Sequence, residues 1–78
     1  MNLMTTNELE ELRRIRALTA SGAARAARQA AHLSLAELAG PCETWPSTIY
    51  RWEKGLQSPH GRSALTYGRL IGRLLERA

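Results

Sequence analysis

Apolar side chains recur at helical spacing along most of the chain, with polar residues between them. Near the start, four apolar residues fall on roughly one side of a helix: Leu9, Leu12, Ile15 and Leu18. Asn7 is a favourable N-cap residue, and the side chain of Glu10 can reach back to it, as in a capping box. This pattern predicts a first helix over about residues 7–18.

A glycine interrupts the chain after this stretch. Gly22 can end one helix and Ser21 can start the next, although one long helix that bends at this point stays open. The following segment, from about Ala23 to His32, is almost entirely Ala and Arg. Because small side chains let helices approach closely, we expect this second helix to be internal.

Two further short helices are bounded by strong local signals. Ser34 and Glu37 form a second capping box, which predicts a third helix from Ser34 to Ala39 or Gly40. We expect Pro41 to stop it, because proline cannot continue the hydrogen-bond ladder. Residues 41–45 should then form a turn, and Pro46 suits the first position of a fourth helix.

The fourth helix should continue through residues 47–54 and end at Gly55. A loop over residues 56–60 then leads to a last helix from about Gly61 to the C-terminus. One side of this last helix should pack on the core: Ala64, Tyr67, Leu70, Ile71, Leu74, Leu75 and Ala78. A separate sector should face outward: Arg62, Arg69, Arg73 and Arg77. Gly68 and Gly72 lie on a third edge, where a neighbouring helix could approach closely.

Composition supports this interpretation. Ala and Leu occur 12 times each among 78 residues, and aromatic residues make up only 5%. The expected fold is all-α, a compact bundle of about five helices in a single domain over residues 1–78. There is no Asp, no glycine-rich phosphate loop and no nucleophile paired with a base, so we expect no enzymatic activity and no cofactor.

Other classes are disfavoured as well. The single cysteine excludes an intrachain disulfide, and Cys42, His32 and His60 lack the spacing of metal ligands, so no metal site is expected. No apolar run reaches transmembrane length, and the N-terminus lacks the basic and apolar parts of a secretory signal. We therefore expect a cytoplasmic protein.

The net charge of +4 lies entirely in the last third of the chain, where residues 51–78 hold six Arg or Lys against two Glu. Such a surplus suggests an anionic partner, either nucleic acid or a membrane surface. A solvated helix face would have the same composition. A membrane-surface helix is disfavoured, because the apolar side of the last helix has no Phe or Trp and is needed for the core.

The stretch from Leu33 to Gly55 reads as a short helix, a tight turn and a second short helix. Its Leu-Ser-x-x-Glu-Leu-Ala segment (33–39) and Ser-Thr-Ile-x-x-Trp-Glu-x-Gly segment (47–55) resemble the phage-repressor and Cro-like helix-turn-helix proteins, the XRE family. The spacing of the two segments fits that family without a gap. The resemblance implies a lambda-repressor-like fold, with the helix-turn-helix over about residues 34–54.

The chain departs from the family pattern at several positions. The family usually has glycine in the turn where this chain has Glu43, which must adopt a left-handed conformation unless the turn differs. Leu35 replaces a polar residue, and Trp45-Pro46 replaces the usual small polar start of the recognition helix. Trp45 is then the N-cap residue, although a tryptophan is more typically a packing residue than a DNA contact.

The resemblance implies sequence-specific binding of double-stranded DNA by a recognition helix in the major groove, and a role in transcriptional regulation. By position, the base-facing residues are Pro46, Ser47 and Arg51. Arginine is the strongest candidate, since it can bond guanine O6 and N7 together. Candidates for contacts to the DNA backbone are Trp45, Thr48, Tyr50, Lys54, Gln57 and Ser58. Ile49, Trp52 and Cys42 are expected in the core, and both histidines at the surface.

In the family, the pair matching Arg28 and Glu53 forms a salt bridge that fixes the recognition helix against the fold. Operator binding usually involves a dimer, and either the last helix or the first helix (about 7–18) could form it. An alternative function is a protein-interaction module of the same fold, such as an antitoxin, with the first helix as the partner surface. A homodimer, a protein partner and a weakly binding monomer all stay open.

Overall fold

Five α-helices make up most of residues 3–77, the part of the chain described by the computed structural model. They are α1 (Thr6–Ser21), α2 (Ala23–Ala30), α3 (Leu35–Cys42), α4 (Pro46–Glu53) and α5 (Gly61–Arg77). Residues 3–77 contain no β-strand. The predicted all-α class and the count of about five helices are therefore confirmed.

The core lies where α5 meets the other helices. α5 packs against α1, α2 and α3, while α4 packs against α3 and α1. The buried apolar residues form one cluster: Leu12, Ile15, Ala24, Leu38, Ala39, Cys42, Ile49, Trp52, Ala64, Leu65, Tyr67 and Ile71. The expected burial of Ile49, Trp52 and Cys42 is confirmed. With a Cα radius of gyration of 11.5 Å, the chain buries this cluster in a small volume.

The start of α1 differs from the prediction. Thr5, not Asn7, is the N-cap: its hydroxyl accepts from the Glu8 N–H at 3.1 Å, and Glu8 Oε1 accepts from the Thr5 N–H at 2.9 Å. Thr5 and Glu8 have capping-box spacing, and an earlier start adds helical hydrogen bonds, so this box prevails over the one at Asn7. Glu10 instead accepts from Arg13.

α1 also continues beyond residue 18, to Ser21. Gly22 then adopts a left-handed conformation, with φ of 86°, and separates α1 from α2. A residue without a Cβ takes this conformation at little cost, so the first two helices are distinct. Ser21 is not the N-cap of α2, since Gly22 occupies that position, although Ser21 Oγ accepts from the Ala23 N–H at 3.2 Å.

The expectation that α2 is internal is wrong for most of its residues. Only Ala24 and Arg28 are buried, whereas Arg25, Ala26, Gln29 and Ala30 are exposed. The helix packs with one side on α1 and α5, so its small residues serve a single narrow contact. It also ends at Ala30, two residues before His32.

The predicted capping box of α3 is present, with Ser34 and Glu37 bonded in both directions at 3.0 and 2.9 Å. The prediction that Pro41 stops this helix is wrong, because α3 continues through it to Cys42. The residue before it is Gly40, which has no Cβ, so one of the clashes that proline makes with the preceding residue is absent here. The turn is correspondingly shorter than expected and covers residues 43–45.

The bounds of α5 agree with the prediction, and its faces agree for the most part. Ala64, Tyr67 and Ile71 are buried, but Leu75 is 36% exposed and Leu65, outside the predicted apolar side, is only 2% exposed. Leu70 and Leu74 are half-buried. The prediction for Ala78 lies outside the described residues.

The glycine edge of α5 faces α1 at one of its two positions. A Cβ added at Gly68 would lie 3.2 Å from Ile15 Cβ, while one added at Gly72 would meet no atom within 4 Å. Gly68 therefore allows α1 and α5 to approach closely. The four arginines of the outward sector are exposed as predicted.

Candidate functional site on helix α4

α4 is supported from behind by α3 and the turn between them. α3 contributes Leu38, Ala39 and Cys42 to the core, and α4 contributes Ile49 and Trp52. In the turn, the Thr44 N–H donates to the Ala39 carbonyl at 3.1 Å, so the chain reverses tightly after α3. The two helices thus pack through apolar faces, and the opposite face of α4 is left to solvent.

The turn contains the left-handed glutamate that its sequence implies. Glu43 has φ of 52° and is the C-cap of α3, with its N–H bonded to the Gly40 carbonyl at 3.0 Å. A side chain with a Cβ in this region carries a conformational cost. The following Trp45 is the N-cap of α4, in extended conformation and without a side-chain cap hydrogen bond.

A buried ionic cluster ties the end of α4 to α2 and α5. Arg28 donates to both carboxylate oxygens of Glu53, with Nε–Oε2 and Nη2–Oε1 distances of 2.9 Å. The Tyr67 hydroxyl donates to Glu53 Oε2, also at 2.9 Å, and Arg28 Nη1 donates to the Leu33 carbonyl. The predicted pair is therefore present, and a tyrosine that the sequence analysis placed only in the core completes it.

The contacts within this cluster shift the pKa values of Arg28 and Tyr67. The hydrogen bond to Glu53 raises the pKa of Arg28, and burial together with the Glu53 carboxylate raises the pKa of Tyr67. The arginine stays charged and the tyrosine stays protonated at neutral pH, so these two residues together donate four hydrogen bonds to the Glu53 carboxylate. The signal for Tyr67 was a hydroxyl on the apolar side of α5, since a buried tyrosine usually needs a partner.

The residues predicted to contact DNA lie at the N-cap of α4, along α4 and in the loop after it. Trp45 is 75% exposed and Tyr50 is 46% exposed. The other exposed members are Pro46, Ser47, Arg51, Lys54 and Ser58, while Thr48 and Gln57 are half-buried. Trp45 occupies the N-cap position of α4 as predicted, and its indole does not pack in the core as a tryptophan typically does. We call this set of nine residues the α4 surface.

Several side chains of the α4 surface contact one another. Arg51 Nε donates to Gln57 Oε1 at 3.2 Å, and Arg51 Nη2 donates to Thr48 Oγ1 at 3.4 Å. The Lys54 ammonium lies 5.8 Å from the centre of the Tyr50 ring, within cation–π range. The surface therefore presents two cations and two aromatic rings, with no acidic member.

The arginines of α5 are partly neutralised by α1. Arg62 is hydrogen-bonded to Glu8, and Arg69 donates to Glu11 at 2.9 Å. The Thr5 N–H and Arg62 lower the pKa of Glu8, and Arg69 lowers the pKa of Glu11. The basic surplus of the last third is thus available mainly at α4 and at the end of α5.

Two surface depressions accompany these features. A groove of about 350 Å³ runs between α1 and α5, and its lining includes Ile15, Leu18, Arg14 and Arg73. A shallower cleft of about 280 Å³ lies beside Trp45, where the turn meets α3. Neither resembles a deep substrate pocket.

The structure gives no sign of metal or thiol chemistry in residues 3–77. No group of three or more potential ligands there could hold a metal ion. Cys42 is buried, and that burial raises the pKa of its thiol to about 11, so it is protonated at neutral pH. Both histidines are exposed, as expected.

Within the same residues, none of the helices has the length and apolar character needed to cross a membrane.

Comparisons with protein-family models, with curated proteins and with solved structures found no match. The function of the chain must therefore be inferred from its own residues and contacts.

Proposed function

We propose that this protein binds double-stranded DNA sequence-specifically through the α4 surface and acts as a transcriptional regulator, similar to the phage-repressor and Cro-like proteins. The observation that carries the proposal is a short helix whose exposed face holds Arg51, Ser47 and Pro46, while its other face and its last residue are anchored in the core. In this interpretation α3 and α4 form a helix-turn-helix, and α4 enters the major groove.

The proposal gives base recognition to the exposed face of α4. Arg51 bonds guanine O6 and N7, and Ser47 bonds a base edge near the start of the helix. Pro46 offers only apolar contact, such as a thymine methyl group. Trp45 and Tyr50 lie at the border of this face, where the indole N–H and the phenol hydroxyl can reach phosphates.

The charge distribution supports an anionic partner at this surface. Arg51 and Lys54 are exposed, and neither is bonded to a carboxylate among residues 3–77. By contrast, Arg62 and Arg69 are already paired with glutamates of α1. An arginine or lysine without an acidic partner can neutralise a DNA phosphate directly. The counterions that this releases from the DNA favour binding.

The anchoring of α4 supports recognition by a rigid element. Glu53 ends α4 and is held by Arg28 and Tyr67, which come from two different helices. Such a helix loses little conformational freedom on binding. Less of the free energy of its side-chain contacts is therefore offset by the entropy cost of ordering the helix. The proposal includes no enzymatic activity, and it places the protein in the cytoplasm with the DNA.

The direct test is fluorescence anisotropy of the protein on random duplex DNA over a series of salt concentrations. Binding should weaken steeply as salt rises, and Lys54→Ala should reduce the slope of log K against log salt by about 1. Arg13→Ala is the matched control, because it removes one exposed cation from α1 and should leave the slope nearly unchanged. Absence of binding at low salt would refute the proposal.

A protein-interaction module of the same fold is the second candidate. The groove between α1 and α5 favours it, since apolar Ile15 and Leu18 line the groove beside Arg14 and Arg73. An antitoxin or other partner-binding regulator would use this surface instead of α4. If the protein fails to bind DNA at low salt while remaining folded, this candidate becomes the leading one.

A further inference from the structure

The guanidinium group of Arg51 is held by two neutral acceptors. Gln57 Oε1 accepts from Nε at 3.2 Å, and Thr48 Oγ1 accepts from Nη2 at 3.4 Å. Among residues 3–77 no acceptor takes up the hydrogens of Nη1. The outer edge of the guanidinium, formed by Nη1 and the second hydrogen of Nη2, therefore stays available.

Gln57 is itself fixed relative to Arg51. The N–H groups of Leu56 and Gln57 both donate to the Arg51 carbonyl, at 2.9 and 3.3 Å. Farther along the same loop, Arg16 of α1 donates to the carbonyl of buried Pro59 at 2.8 Å. The loop that carries Gln57 is thus tied to α4 at one end and to α1 at the other.

The neutral character of the acceptors matters. A carboxylate in place of Gln57 would form a charge-assisted ion pair with the arginine and offset the positive charge that attracts DNA. An amide oxygen and a hydroxyl orient the guanidinium while leaving its positive charge uncompensated. An arginine already held in one rotamer also loses less side-chain entropy when it binds.

We infer that Gln57 and Thr48 are positioning residues that orient Arg51 for bidentate recognition of a guanine, and that they do not contact phosphates themselves. The inference rests on the proposed DNA-binding function. The free edge of Arg51 presents two parallel N–H groups, which is the pattern that matches guanine O6 and N7. The loop between α4 and α5 would then contribute to base specificity without touching a base.

The first measurement needs no DNA. In the free protein, NMR of arginine side chains should show the Arg51 Nε–H as slowly exchanging, and Gln57→Met should make it exchange fast. Methionine is nearly isosteric but lacks the acceptor. Ser58→Ala, a change in the same loop, is the control and should leave the Arg51 signal unchanged. An Arg51 signal that Gln57→Met does not alter would overturn the inference.

The second measurement uses duplexes selected from a library with a randomised core, and the same duplexes with each G·C pair changed in turn. Arg51→Ala should reduce discrimination at one G·C pair by roughly 5- to 150-fold, the value of one bidentate contact. Gln57→Met should reduce discrimination at that same pair by roughly 2- to 10-fold, the value of one neutral hydrogen bond. When Arg51 is already replaced by alanine, Gln57→Met should cause no further loss of discrimination at this pair.

The variant Gln57→Glu separates positioning from phosphate contact. It keeps the acceptor, so discrimination at the pair should be retained while affinity falls on every duplex. If Gln57 contacts a phosphate instead, Gln57→Met and Gln57→Glu will both weaken all duplexes and leave discrimination unchanged, which overturns the inference alone. If the library yields no preferred sequence, the proposed sequence-specific function fails, and the inference fails with it.

Discussion

Removing the carboxylate of Glu53 should strongly destabilise this protein. In Glu53→Ala, Arg28 keeps its charge in a largely buried position, with a side chain 11% exposed, and retains only the Leu33 carbonyl as an acceptor. The Tyr67 hydroxyl loses its acceptor as well. Breaking a buried pair in this way costs about 3–5 kcal/mol, because an uncompensated charge stays behind.

That loss is large for a chain of this size. Domains of this class have a free energy of unfolding of about 5–15 kcal/mol, and 1 kcal/mol shifts the midpoint by about 4–8 °C. We therefore expect thermal melting, followed by circular dichroism, to show a midpoint at least about 12 °C lower. Glu10→Ala is the matched control: its partner Arg13 is 78% exposed, and the change should cost less than about 1 kcal/mol.

A double replacement checks the cause. Arg28→Met combined with Glu53→Leu removes both charges, and it should recover most of the lost stability because no unpaired ion is left. At a temperature where Glu53→Ala is still folded, the salt dependence of its DNA binding should match the wild type, since Glu53 is buried. A melting midpoint within a few degrees of wild type would show that the cluster contributes little to stability.

Three further predictions concern single positions elsewhere. In chemical denaturation, Gly72→Ala should raise the free energy of unfolding by up to about 1 kcal/mol, whereas Gly68→Ala should gain less or lose stability because its Cβ would crowd α1. Glu43→Gly should stabilise by about 1 kcal/mol because it relieves a left-handed glutamate, and Glu43→Ala should not. Arg69 lowers the pKa of Glu11, so this pair stabilises the fold above the unfolded pKa, near 4.5, and the contribution disappears as pH falls through the lower folded pKa. In acid denaturation, the stability of Glu11→Gln should therefore fall less than that of the wild type as the pH drops through this range. Identical stability profiles for the two proteins would contradict this prediction.

Local signals predicted the helices well where capping and proline chemistry were unambiguous. Ser34, Pro46 and Gly61 each mark a helix start as expected. The prediction failed where two local signals competed. Thr5 and Asn7 both head a possible capping box, and Pro41 follows a glycine, which lacks the Cβ that would clash with the proline ring. In both cases the longer helix makes more backbone hydrogen bonds. Their total depends on several residues and cannot be predicted from any one of them.

For the candidate site, the sequence proposed residues but did not predict the contacts between them. The Arg28–Glu53 pair came from a resemblance, while Tyr67 joined it only because α5 crosses behind α4. Likewise, nothing in the spacing of Arg51 and Gln57 predicts a side-chain hydrogen bond, which depends on how the loop folds back onto the helix.

The sequence by itself determined the class of fold, the starts of α2 to α5 and the residues that are candidates for DNA contact, because these depend on periodicity, caps and residue chemistry along a short stretch. Only the tertiary structure decided which side of α2 is buried, that Trp45 is exposed, which donors Glu53 meets and which acceptors Arg51 meets. Those outcomes depend on contacts between residues far apart in the chain, as in the α1–α5 ion pairs. Local pattern cannot supply them, because the same amphipathic helices could pack in more than one arrangement.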